Sequence, residues 1–223
     1  MERHFERELE ELKGTLVRMG SLVDAQLDAA CQALFEGDVQ RARAVIEEDR
    51  EVDSLDTQVD RRCMDIFALT QPVAVDLRLL MSALAINSQL ERIGDIAVNI
   101  AERVEALAPF REFLLGTRLG EMASIARIMV RDSLDAFING DASLASRVLV
   151  SDDVVDRLDR GTFSSLVTAM KEQHDLIEPA AHCLILARHL ERLADHATNI
   201  AEGVIFIVEA RQVKHNAGEG VRR

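Results

Sequence analysis

The sequence has no tryptophan and no tyrosine, and aromatic residues make up only 4% of it. That removes the stacking platforms on which single-stranded nucleic acids are held and the ring-lined walls common in small-molecule pockets. Cysteine is scarce. Cys31, Cys63 and Cys183 lie far apart and form no Cys-x-x-Cys pair, so neither a disulfide framework nor a thiolate zinc centre is expected, and the pattern suits a reducing cytosol. No apolar run reaches the roughly 20 residues that span a bilayer, and the opening Met1-Glu2-Arg3-His4-Phe5-Glu6 has no apolar signal core. The expectation is a cytoplasmic chain with no direct membrane insertion. Positive charge is in deficit: 26 Lys and Arg against 39 Asp and Glu leave a formal charge of −13, a field that repels nucleic-acid backbones and anionic lipid. There is also no glycine-rich phosphate loop and no nucleophile with a positioned base, so the chain reads as a non-enzyme without an organic cofactor.

What is present is helical periodicity, almost without interruption. Apolar residues recur at spacings of three and four, and no sustained alternating run supports a strand. The three prolines, Pro72, Pro109 and Pro179, fall where the periodicity lapses, as expected of a residue that removes a helical hydrogen bond. Gly37-Asp38 and Gly140-Asp141 supply two more breaks, the glycine ending one helix and the aspartate capping the next. The punctuation predicts helices over about 4–36, 38–69, 73–107, 112–139, 141–171 and 178–210.

These segments form a repeat. Residues 33–56 align without gaps on 136–159 with ten identities in 24, and residues 90–102 on 190–202 with nine in 13. Apolar periodicity alone would not reproduce Glu, Arg, Asp and Asn in the same places, so the chain reads as an internal duplication. The predicted fold is all-α, two tandem antiparallel three-helix bundles: residues 1–108, then 109–210, with 211–223 as a flexible tail.

Carboxylates then stand where apolar residues belong. A seam of Val45, Asp49, Val52, Asp56, Val59, Cys63 and Ile66 is matched by Val148, Asp152, Val155, Asp159, Thr162, Leu166 and Ala169, so the interruption is itself duplicated. Asp53 and Asp156 lie one turn beyond Asp49 and Asp152. On the third helix of each copy Glu91 and Asp95, or Glu191 and Asp195, flank a clean apolar stripe. Each pair projects to one side at i, i+4 spacing. Carboxylates gathered in a partly desolvated place need compensating positive charge. Two sources fit: neighbouring arginines such as Arg50, Arg92, Arg103 and Arg192, or a hard or borderline cation. A di-iron oxidase centre would need Glu-x-x-His, and none of His4, His174, His182, His189, His196 and His215 has a Glu three residues before it. His182, His189 and His196 share one helix face and read as core-edge or interface histidines.

The duplicated acidic E(D)-x-x-x-D pairs, together with Gln71-Pro72-Val73-Ala74-Val75-Asp76-Leu77-Arg78 leading into the third helix, resemble the PhoU family over essentially the whole chain except the tail. The second copy has Glu178-Pro179-Ala180-Ala181-His182-Cys183-Leu184 in the corresponding place, so the two lead-ins differ. The resemblance implies metal sites at Asp49, Asp53, Glu91 and Asp95 and at Asp152, Asp156, Glu191 and Asp195, holding multinuclear iron or zinc; the oxygen donors by themselves also suit Mg or Mn. It also implies an adaptor that represses the phosphate-starvation response and restrains phosphate uptake by binding a sensor histidine kinase and the ATPase of a phosphate ABC transporter. A homodimer is implied as well. Two other readings stand beside it: a ferritin-like carboxylate-bridged metalloprotein, and a purely structural helical interaction protein.

Overall fold

The computed structural model describes residues 2–214. Six long helices carry the fold: α1 (Glu2–Glu36), α2 (Val39–Leu69), α3 (Val75–Ala101), α6 (Leu119–Asn139), α7 (Ala142–Glu172) and α8 (Ile177–Glu209), with α4 (Val104–Leu107) and α5 (Arg111–Leu115) as short pieces between the halves. No strand occurs among the described residues. The two glycine breaks are built alike. Gly37 and Gly140 take left-handed backbone at φ 73° and 62°, and the next residue's N–H returns to the helix, Asp38 to the Ala33 carbonyl and Asp141 to that of Ala136, both at 2.9 Å. Each aspartate then caps the following helix, Asp38 accepting from the Arg41 N–H and Asp141 from those of Ser143 and Leu144. Such a cap contributes roughly 1 kcal/mol.

Two expected boundaries are corrected. The third segment does not run to 107: α3 stops at Ala101, and the Arg103 N–H turns back to Ile100 in a tight three-residue bond before α4 begins. The fourth does not start at 112, because Gly116 ends α5 with its N–H reaching Glu112 and Phe113, and α6 opens only at Leu119. Pro179 sits inside the first turn of α8, where the absent N–H has no helical partner to lose. Of the expected tail, Arg211–Lys214 are non-helical, and 215–223 lie outside the described residues.

The predicted core stripes are the buried ones. Val45, Val52, Val59, Cys63 and Ile66 of α2 face inward, as do Ala83, Ile86, Leu90, Ile93, Ala97 and Ile100 of α3 and Leu190, Leu193, Ala197, Ile200 and Val204 of α8. Helices α2 and α7 each pack chiefly within their own half, on α1 and α3 and on α6 and α8, whereas α3 meets α8 and α1 meets α6 across the middle. At α3 and α8 the Gln89 side chain meets Asn199 and His196, and Ile86 lies against Gly203. Residue numbers thus fall along one helix as they rise along the other, and the pair is antiparallel. On the α1–α6 side, Arg127 pairs with Asp28 and Arg131 with Asp24 at 3.1 Å.

Candidate functional site

Each outer helix lays its acids beside the third helix of its half. In the first half Gly94 permits the approach: a Cβ there would lie 3.3 Å from Val52 Cγ1 and 3.4 Å from Asp49 Oδ1 and Gln26 Oε1. Gln26, from α1, donates its amide to Asp49 Oδ1 at 2.8 Å. One end of the ridge is braced by Asn87, whose amide donates to Asp56 Oδ1 at 2.7 Å and reaches Asp60 Oδ1 at 3.2 Å. Removal from water, then the Asp95 charge, raise the Glu91 carboxyl above its ordinary range, with Arg92 opposing and Asp56 and Asp53 adding to the rise. Asp95 is raised by desolvation and then by Asp49 and Asp53, against Arg92 and Arg192. Desolvation, Asp60 and Asp53 raise Asp56, while the Asn87 bond lowers it. The four acids expected in this half are therefore one electrostatic cluster.

The second half repeats the pattern with a different lining. Glu191 is raised by desolvation and by Asp195, opposed by Arg188, and raised further by Asp159 and Asp156. Arg188 Nη1 holds its Oε1 at 2.7 Å, and Oε2 is buried without a donor. Arg160 stands 3.6 Å from Asp156. Asp152 is only 6% exposed, deeper than Asp49. The positions equivalent to Gln26 and Asn87 are Met129 and Ala187, so the second cluster lacks both amides.

The donor set suits a hard or borderline cation: carboxylate oxygens on rigid helices, with Gln26 Oε1, Asn87 Oδ1 and Glu191 Oε2 buried and without donors. As placed, no three His, Cys, Asp or Glu side chains among the described residues group tightly enough to hold an ion. Ligation therefore calls for rotation of the acid side chains, most of which are partly or fully exposed. Thiolates are unsuited, since burial pushes Cys31 and Cys183 up to about 12 and Cys63 to about 11. Sequence reading passed over Gln26 and left Asp56 and Asp159 out of the site. Both aspartates were legible as breaks in the apolar seam, whereas nothing in the pattern marked Gln26.

Between the two acidic ridges runs the α3–α8 seam. His196, 9% exposed, sits in it with Nδ1 2.8 Å from Gln89 Oε1. Burial, then the fields of Arg192 and Arg92, lower it to about 4. A depressed folded value means that its contribution to stability is full above the unfolded value of 6.5 and is lost as pH falls toward about 4. The equivalent residue in the first half is Ile96. Urea denaturation of His196→Ile between pH 7 and pH 4 should show a shallower acid-side loss than the parent, with stability at pH 7 changed by less than about 1 kcal/mol.

Among the described residues no helix is long and apolar enough to cross a membrane. Comparison with known proteins places the chain clearly. The family model described as the PhoU domain matches twice, over residues 16–104 and 119–204. A phosphate-specific transport system accessory protein PhoU homolog of Pseudomonas putida is 39% identical over 96% of this chain and 84% of its own length. The homolog of the same name from Aquifex aeolicus is 41% identical over 94% of this chain and 95% of its own. The crystal structure of PhoU from Pseudomonas aeruginosa superposes with a TM-score of 0.87 at 36% identity, covering 93% of this chain and all of that one. The phosphate transport system regulatory protein PhoU from Streptococcus pneumoniae gives 0.83 at 28% identity, covering 94% of this chain and 99% of that one.

Proposed function

The chain belongs to the PhoU family, and on that premise we propose that it is a cytoplasmic, non-enzymatic regulator of phosphate homeostasis. In this reading it binds a phosphate sensor histidine kinase and the ATPase of a phosphate ABC transporter, silences the starvation response when phosphate is plentiful, and restrains uptake. The observation that carries the reading is the double family match over the two halves that hold the acidic ridges. A helical body with an acidic ridge on each half suits an adaptor that presents helix surfaces to partners. Asp49, Asp53, Glu91 and Asp95, and Asp152, Asp156, Glu191 and Asp195, are the proposed ligands of iron, zinc or a harder divalent ion. The metal would supply the positive charge the ridges lack, and the residues' part is to present oxygens from two helices at once. A homodimer is part of the same proposal.

The test is genetic. Deleting the gene should raise starvation-response expression in phosphate-rich medium, and expressing the chain in trans should lower it again. Unchanged expression after deletion overturns the reading.

A further inference from the structure

We infer that the outer seam between α3 and α8 binds a small oxyanion of the phosphate class, held between Arg92 and Arg192, with His196 Nε2 accepting a hydrogen bond from the anion's own hydroxyl. The site is made where the two halves meet and borders the acidic ridges, since its arginines also act on Asp95.

Positive charge collects along this seam in a chain of net charge −13. Arg192 lies three residues after His189 and four before His196, on the same side of α8 as both. From α3, Arg92 stands one turn beyond Gln89, the residue that touches His196. The charged groups acting on His196 are these two arginines, which also act on the neighbouring carboxylates Glu91 (Arg92) and Asp95 (both). Further along, the fields of Arg103 and Arg192 reach His189, opposed by that of Glu102. Neither Arg92 nor Arg192 has a hydrogen bond or ion pair among the described residues, and Arg103 Nε is buried without a partner. Exposed Asp95 feels both arginines, yet it pairs with neither. Two unpaired guanidinium forks on opposite sides of a helix–helix groove match the donors that tetrahedral oxyanions take.

The hydrogen bonds choose among oxyanions. Asn199 Nδ2 donates to Gln89 Oε1 at 3.1 Å, which fixes that atom as an acceptor. His196 Nδ1, 2.8 Å from the same oxygen, must then be the protonated nitrogen. His196 Nε2 is left as a lone-pair acceptor, buried and without a partner. A buried acceptor favours a ligand that brings a hydrogen, and phosphate near neutral pH carries one on oxygen, whereas sulfate does not. Nε2 is shielded from water, so binding calls for movement of the side chains around it, and Arg92 and Arg192 are both exposed and free of hydrogen bonds among the described residues. The site follows from the seam's own residues. Only its use as a phosphate sensor rests on the function proposed above.

Calorimetric titration of the full chain, stripped of metal with EDTA and held at pH 7, decides the matter with inorganic phosphate and sulfate as the two titrants. Phosphate should bind, with sulfate weaker by about tenfold or more. Arg92→Gln with Arg192→Gln should weaken phosphate by about tenfold or more, and the Lys pair, which keeps charge but loses the fork, should fall between. His196→Ile should retain anion binding but lose the preference for phosphate. Arg157→Gln, on the outer helix α7, should leave the titration unchanged. Circular dichroism confirms the fold of each variant, and the Lys pair serves if the Gln pair is unfolded. Equal affinity for both anions, no heat with phosphate up to tens of millimolar, or a titration indifferent to the arginines each overturns the inference. A chain that restores repression in cells without binding phosphate sinks this site and leaves the proposed function standing. Binding without repression does the reverse.

Discussion

Neutralising the third-helix acids, as Glu91→Gln, Asp95→Asn, Glu191→Gln and Asp195→Asn together, will raise the thermal midpoint of the metal-free protein and abolish the further rise that added metal gives the parent. Glu91, Asp95 and Glu191 are all held above the ordinary carboxylate range, with desolvation first among the causes and neighbouring carboxylates next. A raised folded value means that the folded chain takes up protons more readily than the unfolded one. The stability tied to these groups is full below the unfolded values near 4 and is lost as pH rises through the raised ones. At pH 7 the parent therefore carries a repulsive load that the amides lack, and the gain should be about 1 kcal/mol for groups so near solvent. The gain should vanish near pH 4. With metal at a hundredfold above its dissociation constant the parent should gain about 2.7 kcal/mol, and the variant nothing. Differential scanning calorimetry with EDTA, then with iron, zinc or manganese, reads both effects. A variant less stable than its parent in EDTA would show the ridges to be stabilising ion-pair networks, with no need of a cation.

Leu90→Ala will cost about 3 kcal/mol and will destabilise both halves together. Leu90 is 0% exposed and continues the apolar stripe of α3, the helix that touches α1, α2 and α8. Truncating a fully buried leucine loses transfer free energy and leaves a cavity, a combined cost of about 2–5 kcal/mol in well-packed cores. Urea unfolding should show one transition, its midpoint lowered and its slope unchanged. Two separate transitions, with only one moved, would mean that the halves fold independently.

Both outcomes depend on features that differ in how plainly the sequence displayed them. The glycine–aspartate breaks, the apolar stripes and the duplicated acids were all legible, because each is a local pattern whose physics acts within a turn or two. Gly116 was missed as a helix end because it interrupts a stretch that remains apolar on both sides. The unwinding at Glu102–Arg103 carries no marker of its own. Gln26 was invisible for a different reason: its role depends on α1 lying against α2, a contact that no spacing within α1 encodes. The same holds for the α3–α8 seam. Internal similarity reveals what the halves share, whereas the bond from Gln89 to His196 joins residues whose counterparts, His189 and Ile96, are unlike them.

The crossing of α3 with α8 and of α1 with α6 has an implication for origin. Cut the chain between its halves and each piece would bare to water the sides of α1 and α3, or of α6 and α8, that now cover one another. Exposed apolar sides of that kind are satisfied by another copy of the same piece. The present polypeptide is in this sense built like a dimer whose two subunits share one chain. On one chain the two middle strips need not match: the positions that correspond to the bonded Gln89 and His196 hold His189 and Ile96.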